Sequence, residues 1–238
     1  MVMGISYGIT TKWQATKGVV QDGLILNLDA GVKDSYNGGA TWRDLAADNN
    51  LTLYNSPKFQ TNNGGGFQFD GTDDYGDFSS FDITGGNNYT ISIVLSRDYS
   101  ISGYRYILDD SNGASGFGIR MPHGNSHGLE CFAYDSAGGA ASILARTNVF
   151  TSSDIYYLTF VFRTSSIDSY INGGSKQSKS GIPNNIKASS TPTRLAANSQ
   201  SGSERWLGKI YSVRIYNRVL SDTEILQNYN VMRHRFGI

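Results

Sequence analysis

The chain has 238 residues, with 20 Lys and Arg against 20 Asp and Glu, and a single cysteine. This length suits one large domain with its own core. The balanced charge argues against a nucleic-acid or anionic-membrane partner, a lone Cys131 excludes an intrachain disulfide, and no apolar run is long enough for membrane insertion.

Gly (28 residues) and Tyr (15) are abundant, and Pro (4) is scarce. Glutamate occurs only at Glu130, Glu204 and Glu224, so nearly all acids are Asp, a turn former rather than a helix former. This composition predicts an all-β chain of short strands joined by tight turns.

Residues 1–20 are polar and without period, and read as an arm ahead of one domain over 21–238. Residues 1–8 lack a basic stretch followed by an apolar one, so no secretory leader is expected. Leu24, Leu26 and Leu28 alternate with Ile25, Asn27 and Asp29 and predict a strand. Residues 34–50 read as a loop with Trp42 inside it, and 51–54 as a short strand stopped by Asn55, Ser56 and Pro57. Phe67 and Phe69 flank Gln68 in a strand that ends at Asp70-Gly71, a turn signal. A second short strand over 75–78 follows. Asp70, Asp73, Asp74 and Asp77 fall within eight residues and mark either a cation site or a hydrated corner.

Ile91, Ile93 and Leu95 alternate within a strand over 89–95. Further strands are predicted over 104–108, 117–121, 129–134 and 143–146. Residues 155–162 form a β-branched and aromatic run, predicting a central buried strand. The strand over 167–171 ends at Asn172-Gly173, a type I′ hairpin signal. Residues 175–190 read as a long exposed excursion, and 194–197 and 209–216 as the last strands. Ser221-Asp222-Thr223-Glu224 is a capping box opening one short C-terminal helix, with Ile225, Leu226, Tyr229 and Met232 expected on its buried face.

Four stretches taken together resemble the laminin-G-like, concanavalin A-like lectin/glucanase superfamily: residues 23–30, Phe69-Asp70-Gly71-Thr72-Asp73-Asp74-Tyr75, Tyr170-Ile171-Asn172-Gly173, and residues 207–225. They occur in that family's order. The resemblance implies a jelly-roll sandwich of two antiparallel sheets. The tail over 227–237 is similar to laminin-G-like structural proteins of tailed bacteriophages. That second resemblance implies a non-enzymatic virion protein, such as a capsid decoration, tail or fibre component, located in the virion with other virion proteins and copies of itself as partners. Ala46-Ala47-Asp48 and Tyr156-Tyr157 depart from the family's common Ser-Gly-Asn and Trp-His.

Glycan hydrolysis needs two facing carboxylates at defined separation. Glu130 has Phe132 and Tyr134 as its same-face neighbours along the strand, so no enzyme is expected. Gly124-Asn125-Ser126-His127-Gly128 and Gly4-Ile5-Ser6-Tyr7-Gly8 match the nucleophile-elbow spacing, but neither lies between a strand and a helix. His123 and His127 are four apart in a stretch whose Pro122, Gly124 and Gly128 forbid a helix, so loop histidines are expected rather than zinc ligands. Cys131 reads as a small core residue. No cofactor is required; a structural calcium on Asp70, Asp73 and Asp74, with Asp77 or Asp29 beside them, competes with aspartates that only bond turn amides. Carbohydrate binding to host-surface glycans is the alternative function. Its candidate stacking rings are Trp42, Tyr75, Tyr104 and Tyr106, each of which also reads as packing.

Overall fold

The structure is a computed structural model that describes residues 18–78, 88–98, 103–123, 127–134, 142–152, 154–182, 186 and 188–238. The arm residues 1–17 and residues 124–126 of the Gly124–Gly128 stretch lie outside the described residues. In chain order the strands open with β1 (Leu24–Asp29), β2 (Thr41–Trp42), β3 (Leu51–Tyr54), β4 (Lys58–Gln60), β5 (Gly66–Asp70) and β6 (Tyr75–Phe78). The middle holds β7 (Tyr89–Arg97), β8 (Arg105–Asp109), β9 (Phe117–Met121), β10 (Leu129–Ala133) and β11 (Ser142–Arg146). Then come β12 (Ile155–Arg163), β13 (Ser166–Ile171), β14 (Gly174–Ser180), β15 (Arg194–Leu195), β16 (Leu207–Tyr216) and the helix α1 (Asp222–Phe236).

These strands pair antiparallel in two sheets that form the expected jelly-roll sandwich. The first sheet runs β14-β13-β12-β7-β16-β5-β4. One edge of β16 meets β7; the other meets β5 over Leu207–Ile210 and β1 over Ser212–Tyr216. The second sheet runs β11-β10-β9-β8-β15-β6-β3-β2. Between them lies one core that includes Leu26, Leu28, Trp42, Phe67, Phe69, Ile91, Ile93, Leu95, Ile119, Leu158, Phe160 and Ile215. Cys131 is buried in it, as expected.

The strands flanking the acidic turn do not pair with each other. β5 belongs to the first sheet and β6 to the second, so residues 71–74 carry the chain across the edge of the sandwich. Gly71 sits at φ 73°, a conformation that glycine alone adopts without strain. Asn172 (φ 51°) and Gly173 (φ 70°) give the left-handed pair that the type I′ signal predicts between β13 and β14. The exposed stretch after Gly173 is itself a strand: β14 is solvent-exposed throughout, so its all-polar sequence carries no alternation to betray it. Arg146 and Gln177 bond β11 and β14 side chain to backbone and tie the two sheets along that edge.

Helix α1 covers the outer face of the first sheet. Its capping box forms: Glu224 N donates to Ser221 Oγ (3.3 Å) and Ser221 N to Glu224 Oε2 (2.8 Å). Arg218 pairs with Glu224 (2.6 Å) and holds its carboxyl down to about 2. The buried face is Ile225, Asn228, Met232 and Phe236, while Leu226, expected inside, is 46% exposed. Asn228 turns the face by one position, accepting from Val20 N (2.8 Å) and donating to Tyr216 Oη (3.0 Å). Val19 and Val20, read as the end of the arm, are therefore buried beside the helix. At the helix C-terminus Arg235 donates to Asp29, Asn63 O (2.7 Å) and Gly65 O (2.8 Å), and Arg214 Nη2 donates to the other Asp29 oxygen (3.0 Å). Because α1 shields one face and the core the other, all nine residues of β7 are buried, whether apolar or not.

Truncating Phe69 to alanine removes a fully buried ring and should cost roughly 3–5 kcal/mol in urea unfolding. Asp29→Ala strands the buried Arg214 guanidinium and should cost a similar roughly 3–5 kcal/mol. A loss well under 1 kcal/mol in either would contradict this packing.

Candidate functional site

The outer face of the second sheet is not covered by the helix. Strand alternation decides what it displays. In β3, Leu51 and Leu53 point into the core, so Thr52 and Tyr54 point out. In β6, Phe78 enters the core and Gly76 leaves room for Leu51, so Tyr75 and Asp77 point out. Register places Tyr54 opposite Tyr75, and their rings stack at 4.7 Å and 7°. Tyr54 is 41% exposed. The Arg205 guanidinium lies 4.7 Å over Tyr75 and that of Arg194 5.2 Å.

The same line continues across the sheet. Tyr106 N donates to Glu204 O (2.9 Å), which sets the segment before β16 beside β8. Arg120, opposite Tyr106 in β9, donates to Tyr106 Oη (2.7 Å) and to Glu130 on β10 (2.9 Å). Its guanidinium lies 4.1 Å over the Tyr104 ring and 4.6 Å over Phe132. Tyr54, Tyr75, Arg205, Tyr106, Arg120 and Glu130 thus form one row running across the strands.

The four expected stacking rings fall in three places. Trp42 is fully buried against Phe67 (4.8 Å) and offers no face to a ligand. Tyr106 is 5% exposed, with Arg120 against it, and serves as a support rather than a platform. Tyr75 is partly exposed within the row, and Tyr104, also partly exposed, packs against Arg120 at its border. Sequence reasoning missed Tyr54 and the arginines. The alternation Leu51, Leu53 already set Tyr54 outward, whereas the arginines join through cross-strand register that a sequence does not display.

The acidic corner borders the row at Tyr75. Asp70 Oδ1 accepts from Thr72 N (2.8 Å) and Asp73 N (3.2 Å), while Asp70 N donates to Asp74 Oδ2 (3.1 Å). Asn55 Nδ2 donates to Asp73 O (2.6 Å) and joins the corner to the end of β3. Burial pushes the Asp70 carboxyl up, but the amides of Thr72, Asp73 and Asp74 outweigh it and hold it below the usual range. Asp74 is pushed up to about 6, first by burial and then by the Asp70 charge.

Asp70, Asp73 and Asp74 bring carboxylate oxygens within 4.8 Å of one another, and among the described residues they are the only such group of three acids, histidines or cysteines. The oxygens are of the type calcium takes. Asp77 is held instead by Arg194 (2.8 Å) and Asp29 by Arg214 and Arg235, so neither joins them. His123 lies 5.6 Å from Tyr104, centroid to centroid, and His127 Nδ1 bonds Phe150 O (2.7 Å).

A laminin G family model, described as the concanavalin A-like lectin/glucanases superfamily, matches residues 70–226, well over half of the chain. The chain belongs to that superfamily. Adhesion G-protein coupled receptor V1 of Danio rerio is 24% identical over an alignment of 153 residues that covers 60% of this chain and 2% of the receptor. The botulinum neurotoxin serotype D binding domain superposes with a TM-score of 0.69 at 15% identity, over 89% of this chain and 52% of that one. The binding domain of botulinum neurotoxin DC in complex with SialylT gives 0.67 at 14% identity, over 90% and 52%. At these identities the likeness is one of fold, and this chain spans about half the length of those solved chains.

A carboxyl whose folded pKa is raised adds stability below its unfolded value of about 4 and loses it as pH rises through about 6. Asp74→Asn removes this loss and keeps an oxygen for Asp70 N. Its unfolding free energy relative to the parent, without added calcium, should therefore be more favourable at pH 7 than at pH 4, by on the order of 2 kcal/mol. An equal difference at both pH values would contradict the placement of Asp74.

Proposed function

We propose that this chain is a non-catalytic glycan-recognition domain, with its ligand lying along the row from Tyr54 to Arg120. The carrying observation is the row itself: the exposed Tyr54 ring, backed by Tyr75 and the Arg205 guanidinium, is a stacking platform flanked by hydrogen-bonding groups. Stacking takes the apolar face of a sugar ring, while Arg205, Asn55 and the corner aspartates suit hydroxyls at its rim. Support for a binding role without hydrolysis comes from Glu130. Its carboxylate is engaged by Arg120, and its cross-strand neighbours are Arg120 and Ala145, neither of which can act as a second acid.

Tyr54→Ala, titrated calorimetrically against the best binder from a broad glycan array, should weaken Kd roughly tenfold, about 1.4 kcal/mol. Silence of the parent across the array would overturn the reading. Calcium on Asp70, Asp73 and Asp74 is a separate proposal. Added calcium should raise the Tm of the parent and not of Asp74→Asn, and an unchanged parent would remove it.

Display on a virion is a second reading, favoured by where the chain enters the fold. Val19 and Val20 are buried beside α1, on the covered sheet and so opposite the row. A domain held through residues 1–17 to other virion proteins or to copies of itself would present the row outward. The tail resembling phage proteins packs on its own sheet through Met232, Arg235 and Phe236, so this reading takes the N-terminal side as the attachment. Mass spectrometry of purified particles should find the chain, and its absence would overturn this reading.

A further inference from the structure

Beneath helix α1 the first sheet does not present a uniformly apolar surface. Register aligns Thr159 on β12, Ser92 on β7, Arg214 on β16 and Asn27 on β1 in one line across four strands. All four are at most 3% exposed. Several of their polar groups are met. Ser92 and Thr159 hydroxyls bond each other (3.1 Å), Arg214 Nη2 donates to Asp29 (3.0 Å), and Arg214 Nη1 reaches Ser212 Oγ (3.4 Å). Others have no protein partner: both side-chain atoms of Asn27, Arg214 Nε, and the hydroxyl of Tyr157. That hydroxyl lies within reach of the Ser92 and Thr159 hydroxyls and of the Arg214 charge, with no well-aligned hydrogen bond to any of them.

We propose that the layer between the first sheet and helix α1 binds a cluster of ordered internal water molecules, held by Asn27, Arg214 and Tyr157. Buried polar atoms without partners are rare in folded proteins, and internal water is their usual partner. The inventory of orphaned groups selects the ligand. Arg214 Nε and the Asn27 amide nitrogen are donors, Asn27 Oδ1 is an acceptor, and the Tyr157 hydroxyl can be either. A metal cation would face the Arg214 guanidinium. A halide would satisfy the donors and leave Asn27 Oδ1 unmet. Water donates and accepts, and so serves all of them.

Two near-isosteric variants give opposite signs for a wet and a dry layer. Asn27→Leu and Tyr157→Phe each delete orphaned groups. In a dry layer that removes a burden, and Tm rises. In a wet layer it breaks bonds to water, and Tm falls. Oxygen-17 magnetic relaxation dispersion on the full chain reads the long-lived waters directly. The expected result is long-lived water in the parent, fewer such molecules in Asn27→Leu, and a lower Tm for both variants. An unchanged or raised Tm for Tyr157→Phe, or a parent without long-lived water, would overturn the proposal even if Asn27→Leu fails to fold. A parent Tm that changes when chloride is replaced by a larger anion would overturn it in favour of a halide.

Discussion

The Asp29 carboxylate gathers the fold around one point. It accepts from Arg214 in the middle of the first sheet, from Arg235 at the end of α1, and from the Gly31 amide just after β1. Arg235 in turn bonds the carbonyls of Asn63 and Gly65 ahead of β5. One buried acid therefore joins β1, β16, the helix and the approach to β5. With Asp29 at 2% exposure, losing either arginine leaves charge in a poorly solvated place, so the helix is held firmly against its sheet.

That clamp makes the sandwich asymmetric, and the asymmetry places the candidate site. The centre of the first sheet is covered on both faces, by core on one and by α1 with Val19 and Val20 on the other. The second sheet keeps its outer face free of the helix. On that face the period of two in each strand sets which side chains emerge, and the antiparallel register lines them up. Tyr54 and Tyr75 stack because they are directly opposed across β3 and β6. Arg120 meets Tyr106 and Glu130 for the same reason. The row needs no loop of special sequence; it follows from alternation and pairing.

Much of the fold was legible in the residues. β7 and β12 announced themselves by β-branched and aromatic runs, the Asn172-Gly173 hairpin by its turn chemistry, and α1 by its capping box. The elements that escaped share a physical cause. β2 and β4 are two and three residues long, below any period, and β14 is polar on both faces because both are exposed. Trp42 reads from the sequence both as a candidate ligand platform and as packing, and the short β2 strand carries it into the core beside Phe67. Leu226 was misplaced because a polar residue, Asn228, rather than an apolar one, defines the helix's inner face. Of the site, single residues such as Tyr75, Tyr104 and the corner aspartates could be named, while their assembly with Tyr54, Arg120 and Arg205 depends on which strands are neighbours.

The central claim is that ligand recognition belongs to the second sheet's outer face. The most direct measurement is an NMR titration of the isotopically labelled full chain with the strongest glycan-array binder, following amide shifts residue by residue. The account predicts changes grouped on Tyr54, Asn55, Tyr75, Tyr104, Arg120 and Arg205. Changes grouped instead on α1 and β14, with the row unmoved, would contradict it.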